Sequence, residues 1–190
     1  ALRLIHIIGG VFWVGSVFMI AGFLLPANRT TGQAGLVFMQ DVMVRRKFSV
    51  YLMVAMGLTI LSGLTMYVHM IMITDGAWAS STMGKVLGFG ALCGIVGGAI
   101  GGSISKATGL KMAEIGKAIQ DSGQPPTEAQ RAEIAAIQSK MEKVMTFVVI
   151  LLILAVAAMA SARDGYPWIV RLFEKDLAAL RPEDQPARAD

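Results

Sequence analysis

Charge is scarce in this sequence: Asp, Glu, Lys and Arg make up 16% of its 190 residues, against 55% for the apolar types. A water-soluble domain carries about 25% charged residues, so most of this chain is not built to face water. Cys93 is the one cysteine, which excludes an intramolecular disulfide and leaves the redox compartment unmarked. Aromatic residues are sparse at 7% and nowhere interleave with a basic stripe, so no nucleic-acid surface is expected. No nucleophile stands beside a base and no carboxylate pair recurs at a useful spacing, so no catalytic residue is assigned.

What is present is long apolar runs. Residues 4–25, 48–73, 86–105 and 144–162 are each near or above the roughly 20 residues that cross a bilayer core. Four segments are too few and too continuous for a barrel, and in lipid only helices and closed barrels satisfy every backbone group. The expected fold is therefore all-α: a polytopic four-transmembrane-helix bundle. The first run begins almost at residue 1 but is longer than a signal-peptide core. Its Phe23-Leu24-Leu25-Pro26 end is no small-residue cleavage site, so it reads as a mature helix.

The net charge of +4 gathers between the runs. Arg29, Arg45, Arg46 and Lys47 lie between spans one and two; Lys106, Lys111, Lys117, Arg131, Lys140 and Lys143 lie between spans three and four. By the positive-inside rule these faces are cytoplasmic, both termini are outside, and the host is a bacterial inner membrane with anionic-lipid contact.

The third connection, residues 106–143, is too patterned for a loop. Met112, Ile115 and Ile119, then Ile134, Ile137, Met141 and Val144, recur at helical spacing on either side of Gly123-Gln124-Pro125-Pro126. Thr127 with Gln130 reads as a capping box that starts a new helix. The pattern predicts an extramembrane helical hairpin that extends spans three and four. After span four, residues 167–181 read as an interfacial helix opened by Pro167, and residues 182–190 as a disordered tail.

An ionisable side chain within a span is costly enough to mark a candidate site, which singles out His6 and His69. Each is the only histidine of its span and lies about a turn inside one end, on helices expected to run antiparallel. Two such imidazoles at one depth are a way for a bundle to ligate b-type haem. Gly9, Gly10 and Trp13 follow His6 on one helix face, offering room and an aromatic wall for a macrocycle. Met66 sits a turn before His69, with Thr65 and Ser62 nearby, and Lys85 at the outer end of span three is placed to meet a haem propionate. Asp75, Trp78 and Asp164 border the same mouth. A glycine-rich span three suggests close packing against neighbours in the bundle, in a partner membrane protein or in a second copy. Thirteen methionines raise a copper reading, but they are scattered rather than clustered.

The run Leu2-Arg3-Leu4-Ile5-His6-Ile7-Ile8-Gly9-Gly10-Val11-Phe12-Trp13-Val14-Gly15, with Val44-Arg45-Arg46-Lys47 and Leu58-Thr59-Ile60-Leu61-Ser62-Gly63-Leu64, resembles the copper-resistance-D-like membrane proteins and the membrane protoporphyrinogen oxidases of the HemJ type. The resemblance covers spans one and two. It implies a first-span histidine at His6, a lysine of the third span at Lys85, and b-type haem. The histidine expected near that lysine and an aromatic-proline run after Trp13 are absent. The function expected from the sequence is thus a haem-carrying or electron-transferring membrane protein. The alternative is a cofactor-free accessory subunit.

The orientation is testable with a Ser122→Cys variant and an impermeant maleimide. A cytoplasmic hairpin should stay unlabelled in intact cells and react after permeabilisation; efficient labelling of intact right-side-out cells would put it outside.

Overall fold

The structure is a computed structural model that describes residues 1–162. The interfacial helix expected at 167–181, the tail at 182–190 and Asp164 lie outside the described residues. Among the described residues the chain is helical throughout, without a strand, and four helices are long and apolar enough to cross a membrane. We number them α1 (Leu2–Thr31), α3 (Phe48–Ile73), α5 (Thr82–Ser122) and α6 (Glu128–Ala162), with shorter α2 (Gln33–Gln40) and α4 (Ala77–Ser80) between them.

Each boundary has a local cause. Within α1 the backbone widens to a π-helical turn over Ile20–Leu24, just ahead of Pro26. Proline has no N–H for the preceding turn, and a widened turn lets the helix carry on past it to Thr31. Gly32, at φ 59°, then breaks the chain into α2. A second π turn over Asp41–Arg45 leads to Lys47, a non-glycine residue in the left-handed region at φ 57°, which starts α3. Here Arg46 donates to Asp41 at 2.8 Å, and this bond, with Arg45 beside it, holds the Asp41 carboxyl below its ordinary pKa. Ser81 caps α5 by accepting from the Gly84 N–H at 3.1 Å. Gly123, left-handed at φ 63°, ends it. The capping box forms as its sequence suggests: the Gln130 N–H donates to the Thr127 hydroxyl at 3.2 Å and the Thr127 N–H to Gln130 Oε1 at 2.9 Å.

Two antiparallel pairs make the bundle, α1 against α3 and α5 against α6; α3 also meets α5, and the later part of α1 meets α6, closing a ring. The core is Trp13, Val17, Ile20, Leu25, Ala55, Met145, Val148 and Leu152. Outside it, large apolar side chains stand uncovered, Val11 and Phe23 each at 71% exposure, as befits helices whose outer solvent is lipid.

Both glycine faces of α5 find neighbours within the chain. A Cβ added at Gly90 would meet Ala158 at 3.0 Å, and one at Gly97 would meet Leu151 at 3.5 Å, both on α6. On the other face a Cβ at Gly98 would meet the Met56 sulfur at 3.0 Å and both Ile60 and Trp13 at 3.3 Å. Glycine at these points lets backbones approach, which is how helices gain contact energy in lipid.

Beyond the bilayer-length portion, α5 and α6 continue side by side without interruption to Gly123. Ile115 is buried in their seam, with Met112, Ile119, Ile134, Ile137 and Met141 half-buried around it. Lys111 pairs with Glu133 at 2.8 Å across the hairpin, and Arg29 at the end of α1 pairs with Glu142 at 3.1 Å. Exposed pairs of this kind contribute little, so the apolar seam holds the arm together.

An Ile115→Asp variant should therefore lose about 2 to 5 kcal/mol of hairpin stability, from lost apolar burial and a desolvated carboxylate. Limited proteolysis reads this as new cleavage between residues 106 and 143 while the spans stay protected; an unchanged digest would refute the packed seam.

Candidate functional site

The inward face of α1 begins at His6, which is half-buried, and runs through Gly9, Gly10 and Trp13. Its partner is the middle of α3. A Cβ on Gly9 would come within 2.7 Å of the Thr59 hydroxyl and 3.3 Å of the Ala55 carbonyl; one on Gly10 would touch the Thr59 methyl at 3.5 Å. The notch left by the two glycines is thus filled by Thr59, and α1 and α3 close against each other there. Trp13, one turn deeper and 5% exposed, reaches across to Gly98 of α5.

His6 follows from the same approach. Its ring lies on Gly63, whose added Cβ would stand 2.6 Å from Cε1, and Nδ1 lies 2.7 Å from the Thr59 carbonyl oxygen. A carbonyl only accepts, so Nδ1 carries the proton and donates, and in the neutral ring Nε2 keeps the lone pair. The neighbouring hydroxyls are committed to their own helix: Thr59 donates to Ala55 at 2.7 Å and Ser62 to Thr59 at 3.2 Å. Their protons are spent within α3, and neither is left to donate to the imidazole.

His69 is elsewhere. His6 meets α3 between Thr59 and Gly63, and His69 lies six residues past Gly63, a further rise of about 9 Å at 1.5 Å per residue. Both histidines are a turn or so inside their helices, as their sequence positions suggest, but α3 overhangs the start of α1, so the turns are at different depths. His69 is exposed, Met66 below it half-buried and Lys85 exposed. The expected site is thus divided: His6, Gly9, Gly10 and Trp13 share one packed face, and His69 and Lys85 stand apart from it. With Thr59 in the glycine notch and His69 a turn and a half away, these residues do not fit a haem held by both histidines between spans one and two of one chain.

At the end where α3 leads through α4 into α5 a different group closes the bundle. The Tyr67 hydroxyl donates to the Gly84 carbonyl at 3.1 Å and its ring meets Trp78 edge to face, 5.1 Å between centroids. The Trp78 N–H of the backbone donates to the Thr74 hydroxyl at 3.3 Å. Tyr67 and Thr59 are the residues that sequence reasoning passed over; the small residues opposite them, Gly88 and Gly9, were the available signal. Asp75 is exposed in a left-handed turn at φ 47°. Cys93 is buried, and no group of three His, Cys, Asp or Glu side chains is placed to hold a metal among the described residues.

No family model matches this chain, and comparison with curated proteins and with solved structures returns no match.

The packing makes Gly63 and His69 unequal. Gly63→Ala should push the imidazole off Gly63, lose its bond to Thr59 and cost about 1 to 2 kcal/mol, read as a lower melting temperature and altered histidine ring-nitrogen shifts. His69→Ala should change stability by no more than about 0.5 kcal/mol. The reverse order of effects would overturn this account.

Proposed function

We propose that this chain is an integral membrane accessory subunit of a bacterial inner membrane. It sets a rigid helical arm on the cytoplasmic side, where that arm contacts a partner protein. The observation that carries this reading is continuity: α5 and α6 run unbroken from the bundle into the hairpin, 41 and 35 residues long. A tether needs only a short loop between two spans. Two helices packed on a common apolar seam, which runs through Met141 and Val144 into the bundle core, fix the position of the hairpin tip relative to the membrane. The charge distribution supports the orientation, with the basic connections cytoplasmic and the termini outside.

A second reading keeps haem b, because Nδ1 donating to a carbonyl is the arrangement that orients an imidazole for iron through Nε2. The resemblance of the first span to the copper-resistance-D-like and HemJ-type proteins supports it too. In this reading His6 supplies one axial ligand and a different chain supplies the other.

One preparation separates the two. Photo-crosslinking from exposed hairpin positions such as Lys117 in intact membranes should give a discrete adduct with a second protein, and the purified chain should show no Soret band. A Soret band that shifts on dithionite reduction and is lost in His6→Ala, with no hairpin adduct, would replace the accessory reading by the haem reading.

A further inference from the structure

The pair α3 and α5 is in contact at one end and apart at the other. Toward the outer end the Tyr67 hydroxyl lies 2.7 Å from where a Cβ on Gly88 would be, and mid-span the Met56 sulfur lies 3.0 Å from one on Gly98. Gly102 is four residues past Gly98 on the same face of α5, still level with the first turns of α3. A Cβ there would meet nothing within 4 Å, and the residue is exposed. The face that α3 covers at Gly88 and Gly98 is therefore uncovered at Gly102, which leaves a wedge between the two helices at the basic end of the bundle.

The mouth of that wedge carries unneutralised cations. The contacts Tyr67 with Gly88 and Met56 with Gly98 set the antiparallel register, which puts Lys47 level with Thr108. Lys106 on α5 is two residues away, about 3 Å along the axis. Both lysines are exposed, and neither makes an ion pair among the described residues. The nearby acids are taken: Asp41 by Arg45 and Arg46, Glu142 by Arg29.

We propose that this wedge is a site for an anionic phospholipid, its phosphate held by Lys47 and Lys106 and an acyl chain lying against Gly102. An acyl chain fills an apolar gap without leaving polar groups unpaired, and the lysines sit where headgroups lie. A zwitterionic headgroup would leave the two charges uncompensated, so the site discriminates by net charge. The proposal is independent of the function of the hairpin.

The full chain in nanodiscs containing phosphatidylglycerol and phosphatidylcholine, released for native mass spectrometry, tests it. Wild type should retain phosphatidylglycerol in preference to phosphatidylcholine. Lys47→Gln with Lys106→Gln should weaken that retention roughly thirtyfold, about fivefold per basic side chain near the surface. Gly102→Leu should reduce retention with both lysines in place, which a merely diffuse attraction to the surface would not show. Lys117→Gln, farther out on the arm, should change nothing, and circular dichroism confirms that each variant is helical. Equal retention of the two lipids, or retention unaltered in the double lysine variant, overturns the proposal. So does efficient disulfide crosslinking of a Gly102→Cys variant to a second copy in phosphatidylglycerol membranes, which would make the wedge a helix-packing surface.

Discussion

Close approach of helix backbones at small residues is the contact on which this bundle rests. Lipid tails solvate leucine as well as a neighbouring helix does, so burial of apolar surface gives no net drive to associate within the membrane. What remains is dispersion at short range, and it requires the Cβ layer to be thin on one side. Gly9 and Gly10 provide this for Thr59, Gly98 for Trp13, Met56 and Ile60, and Gly90 for Ala158. The exposed Ile, Leu and Phe side chains around the outside contribute to insertion but not to the choice of neighbour.

This constraint explains why the histidines read one way in the sequence and are placed another way in the structure. Sequence gives depth within a helix, and His6 and His69 are each about a turn from an end. It does not give the offset between helices, which is set by where glycines meet their partners. Gly9 seats on Thr59 and Gly63 on the His6 ring, and together these contacts carry the end of α3 past the start of α1. Between the two spans lie α2, a π turn and the left-handed Lys47, a connection whose geometry no hydrophobic period reports. The same limitation hides Thr59, whose β-branched side chain looks like ordinary span filling until its neighbour is known.

Other features were legible because their cause is local. The apolar runs, the all-α class and the Thr127 capping box depend on residues within one turn or one helix, and the structure has the helices and the cap. The face shared by His6, Gly9, Gly10 and Trp13 also follows from spacing alone. Its use does not: room for a macrocycle and room for a neighbouring helix have the same sequence signature, since both require a missing side chain.

The distribution of that missing volume along α5 divides the molecule into two regimes. From Gly88 to Gly101 each vacancy is matched by a residue of α6, α3 or α1, and the helices lock. From Gly102 onward the matching with α3 stops while the seam with α6 continues through Thr108, whose hydroxyl lies 3.8 Å from the Met141 sulfur, to Ile115. A helix that leaves one neighbour while keeping the other must diverge. That departure leaves backbone-thin surface uncovered on one side and lets the α5–α6 pair leave the bundle as a unit on the other. The open glycines and the projecting hairpin therefore have one origin: the α5–α6 seam is longer than the bundle that encloses it.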